Sequence, residues 1–68
     1  MFIEKEIKEY AKNTRLKQLK MRYFDLEMDR VSLEYIGDKE AVAQIKQRME
    51  DVKKAYKAVE ALDIDQKE

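Results

Sequence analysis

From Asp38 onward the large apolar side chains fall at Val42, Ile45, Met49, Val52, Tyr56 and Val59, separated alternately by three and four residues. That alternation is the seam of a helix packed on another helix. A strand, whose side chains change face at every residue, does not produce it. Upstream, Ile3, Ile7, Tyr10, Thr14, Lys17, Met21, Phe24, Met28, Val31 and Tyr35 repeat the same spacing, polar only at Thr14 and Lys17. The pattern predicts a first helix over about 2–35 and a second over about 38–62.

The only glycine, Gly37, lies between the two runs, and proline is absent. Tyr35-Ile36-Gly37-Asp38 reads as a helix end: Gly37 takes the left-handed cap position, Asp38 is the N-cap of the next helix, and Glu40 lies in a first turn whose dipole favours acids. So short a connection, at Ile36–Asp38, sends the chain back on itself. The expected fold class is all-α, an antiparallel helical hairpin forming one domain over 1–68.

In such a hairpin, facing positions have residue numbers with a constant sum. Val31 with Val42, Met28 with Ile45, Phe24 with Met49 and Met21 with Val52 meet that condition, and the register continues to Lys17 with Tyr56 and Thr14 with Val59. Lys17 is therefore expected to lay its stem along Tyr56, with the ammonium at the ring. A straight first helix would be ~50 Å long against ~37 Å for the second, so residues 1–12 overhang. Asn13 and Thr14 favour caps over helix interiors, so the alternative is a break there and a short third helix folded back. The acidic residues 63–68 are expected to fray.

The first helix carries a second row: Leu16, Leu19, Tyr23, Leu26 and Leu33, interrupted by Arg30, about 150° around from the first at 100° per residue. One neighbour does not bury two nearly opposite faces. Five large side chains in register make a patch, which points to a second interface, although single exposed leucines are ordinary. The expected occupant is a second copy, two hairpins giving a homodimeric four-helix bundle, or a larger protein with an acidic groove of apolar centre. The candidate partner-binding residues are Leu16, Leu19, Tyr23, Leu26 and Leu33, rimmed by Arg15, Arg22 and Arg30, with the Phe2, Ile3, Ile7 and Tyr10 overhang as a second contact.

Composition narrows the chemistry. The 68 residues hold 15 Lys+Arg and 15 Asp+Glu, with no Cys and no His. Disulfides, Cys/His zinc sites and nucleophile–His pairs are therefore excluded. Ser32 and Thr14 have no histidine to activate them and no Gly-rich loop cradles a phosphate, so the reading is non-enzymatic, with no cofactor and no small-molecule substrate. A chain this short builds a thin core and needs a further source of stability, which favours association. No run is long enough to span a membrane, and the opening lacks the order of a signal peptide, so a cytoplasmic protein is expected. The Lys/Glu/Ile-rich style and small size suggest a bacterial or phage accessory or regulatory protein.

Net neutrality hides segregation. Residues 8–22 carry six basic side chains against Glu9 alone, whereas Asp25, Glu27, Asp29, Glu34, Asp38 and Glu40 near the turn are countered only by Arg30 and Lys39. The basic stretch with its facing lysines gives an alternative function, nucleic-acid binding through Lys12, Arg15, Lys20, Lys53, Lys54 and Lys57. The ordinary reading of these charges is a solvated flank with pairs such as Glu4–Lys8 and Glu50–Lys54. Asp25 and Asp29 share a face one turn apart, but a Mg²⁺ site needs acids converging from several helices, and the facing level offers Lys46 and Arg48. No metal is expected.

Overall fold

The computed structural model describes residues 4–63. Helix α1 runs Lys5–Ile36 and helix α2 Lys39–Glu60, packed antiparallel as a hairpin in a rod of 51 × 16 × 15 Å. Helix α1 is continuous through Asn13 and Thr14, so the broken alternative is not adopted. Residues 1–3 and most of the acidic tail, 64–68, lie outside the described part.

The turn is built by two caps in succession. Gly37 has φ 81°, and its N–H donates to the Glu34 carbonyl while Asp38 N–H donates to that of Leu33, both at 3.1 Å. These two bonds are the Schellman pattern, which satisfies carbonyls that the end of α1 leaves over. The Asp38 side chain then accepts from Ala41 N–H at 3.1 Å, capping the first turn of α2. Helix α1 starts more loosely: Glu4 is extended and makes no side-chain cap bond.

The seam on α2 is as expected: Val42, Met49 and Val52 are buried, and Ile45, Tyr56 and Val59 are partly so. The face that α1 turns toward it is not. Leu26 is buried with Met49 and Val52, and Leu19, Tyr23 and Ile45 pack around them. Leu16 and Leu33 are partly buried on the same side. By contrast Met21, Phe24, Met28 and Val31, the expected partners of α2, are 63%, 60%, 47% and 55% exposed. The inner and outer faces of α1 are thus exchanged relative to the sequence reading.

The physical reason lies in the turn. Both rows of α1 have heptad spacing, and both keep constant number sums against α2; they differ only in where the reversal is centred. A two-residue link centred between Gly37 and Asp38 sets Leu33 level with Val42, Leu26 with Met49, Tyr23 with Val52 and Leu19 with Tyr56. Side-chain contacts follow this register. The Lys20 ammonium, rather than that of Lys17, lies over the Tyr56 ring at 5.6 Å from its centroid. Lys12 reaches the far end of α2, donating to the Glu60 and Leu62 carbonyls at 2.8 and 2.9 Å.

Candidate functional site

The two helices differ in length, 32 residues against 22, and in how their large apolar side chains are distributed around the axis. Helix α2 is amphipathic in the simple sense, one face covered and the remainder polar. Helix α1 carries apolar side chains on both sides, and α2 covers only the leucine side. Nine large apolar side chains are exposed among the described residues, and seven of them, Ile7, Tyr10, Met21, Phe24, Met28, Val31 and Tyr35, share the outer row of α1. Ile36 continues it to the turn, 71% exposed. Neighbours three and four apart on a helix have Cβ atoms about 5–6 Å apart, so Met21 to Tyr35 form an unbroken strip over four turns. Thr14 and Lys17 separate it from Ile7 and Tyr10.

Polar neighbours edge the strip. Lys17 and Lys20 lie toward the α1 N-terminus, and Asp25, Glu27 and Glu34 toward the turn. Ser32 Oγ donates to the Met28 carbonyl at 3.1 Å, which satisfies that hydroxyl within the helix.

The structure distributes the expected partner residues differently. Leu16, Leu19, Tyr23, Leu26 and Leu33 are turned against α2, a correction to their placement on a free face. Arg30 is not a rim cation. Partly buried on the same side, it donates to Glu27 through Nη2 and to Glu34 through Nη1, the latter at 2.6 Å. These acids, Glu27 first, hold its guanidinium above its ordinary pKa. Arg15 and Arg22 are exposed beside Leu19, Met21 and Asp25. Ile7 and Tyr10 are exposed as expected, while Phe2 and Ile3 lie outside the described residues.

The basic belt is only partly assembled. Lys20, Lys53 and Lys57 border a shallow apolar groove floored by Leu19, Tyr23, Val52 and Tyr56. Lys53 is 3.8 Å from Glu50. Lys12 is held by the α2 carbonyls, and Arg15 and Lys54 are exposed. Among the described residues no group of three or more acids is placed to hold a metal ion, and no helix is long and apolar enough to cross a membrane.

Two roles escaped the sequence reading. Lys12 sits on the carbonyls at the C-terminal end of α2, where a cation offsets the partial negative charge of the helix end. Arg30, an interruption of the leucine row, is tolerated there because Glu27 and Glu34 stand three residues before and four after it; that spacing was a usable signal.

No known protein family, characterised protein or solved structure matches the chain.

Proposed function

We propose that this chain is a small non-enzymatic protein–protein interaction module whose working surface is the outer row of α1. The observation that carries the reading is the segregation of exposed apolar side chains: seven of the nine lie along one row rather than scattered, and contiguous apolar patches of that kind mark places where another surface docks. A heptad-spaced strip on a helix suits another helix or an apolar groove, and methionines at Met21 and Met28 adapt to either.

The test is a photo-reactive residue placed at Phe24 or Val31 and, as control, at Gln44 or Gln47 on the exposed side of α2. Row positions are expected to form protein adducts in cells and α2 positions to form none. Equal labelling from both helices, or none from the row, contradicts the reading.

The groove bordered by Lys20, Lys53 and Lys57 favours a second reading, nucleic-acid binding, in which cations contact phosphates and bases stack near Tyr56. It predicts retardation of DNA or RNA that falls steeply with salt and is lost in a Lys53→Gln, Lys57→Gln variant.

A further inference from the structure

We propose that the outer row of α1 is occupied by the same row of a second copy, running antiparallel, so that two hairpins form a flat layer of four helices with the two α1 helices at its centre. The inference rests on the reading of that row as a binding surface and adds the partner, its direction and the shape of the assembly.

The direction follows from charge. Lys17 stands within the row and Lys20 beside it on the N-terminal part, while Asp25 and Glu27 edge the part nearer the turn. An antiparallel pairing centred between Met21 and Phe24 sets Lys17 of one copy level with Met28 of the other, one residue from Glu27. The contact occurs twice, once from each copy. A parallel pairing instead sets Lys17 against its own copy in the seam, an unfavourable opposition in a setting partly removed from water. The wider charge distribution agrees, because antiparallel alignment lays the basic stretch 8–22 along the acidic region 25–40. Charge complementarity of this kind sets register and direction more than affinity, which here comes from Met21, Phe24, Met28 and Val31.

The shape follows from angle. The row is about 150° around α1 from the face that α2 covers, at 100° per residue. In a square four-helix bundle each helix meets two neighbours at roughly a right angle. Faces this nearly opposite place α2, α1, the second α1 and the second α2 in sequence across a layer. The four-helix bundle expected from the sequence is replaced in this proposal by that layer.

The experiment is sedimentation equilibrium on the full chain, followed by the distance between spin labels attached at Ser32→Cys, an exposed position beside the strip in a chain with no other cysteine. The proposal expects twice the 8.2 kDa chain mass and a label separation of ~28 Å along the axis, set by 19 residues at 1.5 Å each. It also expects Lys17→Glu to weaken association at least tenfold, with helicity retained. A dimer with labels under ~15 Å apart is parallel and overturns the proposal. A monomer at every concentration also overturns it. In that case adducts confined to Phe24 and Val31 in the labelling test leave the interaction reading standing with a foreign partner, and absence of adducts removes both.

Discussion

Gly37 stands where the chain must leave one helix and enter another within two residues, and its left-handed backbone is the only such conformation among the described residues. A Cβ added there meets nothing within 4 Å, so substitution is penalised by backbone strain alone. Gly37→Ala is accordingly expected to lower stability by about 1 kcal/mol, with Asn costing less because it tolerates the left-handed region better. Chemical denaturation of the three proteins checks both the size and the order. Lys12 acts at the opposite end. Its ammonium serves two carbonyls at the end of α2, and Lys12→Met, which keeps most of the stem, is expected to cost about 0.5 kcal/mol. The visible sign is faster amide exchange over the last turn of α2, with the exchange near Asp38 unchanged. Equal acceleration at both ends would assign Lys12 a general role rather than a local one.

At the scale of the helix, spacing says which residues share a face and leaves open which face is inside. The α2 seam and the Gly37–Asp38 reversal were legible because each stands alone: one apolar row, one glycine, one capping aspartate. Helix α1 offered two rows of nearly equal quality, and a constant number sum holds for both. The choice fell to where the two-residue link is centred, a backbone property that the residue types alone do not state. Leu33 shows how: its carbonyl takes the Asp38 N–H, so the returning chain comes back on the Leu33 side rather than the Tyr35 side. Lys20 rather than Lys17 meets Tyr56 for the same reason. The candidate surface is legible as a set of residues, since Met21, Phe24, Met28, Val31 and Tyr35 share one heptad-spaced row; that the row faces away from α2 is not.

At the scale of the molecule, the rod is two helices thick and no side chain of the described part is fully buried. Leu26, Met49 and Val52 form a core one layer deep. Scaffolds of this size sit close to the limit at which burial outweighs ordering, and association is one of the few remaining stabilisers where disulfides are absent. The proposed self-association through α1 makes stability depend on mass action. The midpoint of thermal unfolding is therefore expected to rise by several degrees over a hundredfold increase in chain concentration, and to lose that dependence in a Phe24→Glu variant. A midpoint independent of concentration would mean that the hairpin is stable by itself.

All of this depends on α1 being apolar on two sides while α2 covers only the leucine side. The direct test is thermal unfolding, followed by far-ultraviolet circular dichroism, of Leu26→Glu and Phe24→Glu at a concentration low enough that association contributes nothing. A buried unpaired carboxylate at position 26 is expected to abolish cooperative folding or lower stability by more than about 3 kcal/mol, while Phe24→Glu melts within a few degrees of the parent. The reverse order, with Phe24→Glu unfolded and Leu26→Glu tolerated, would contradict the account.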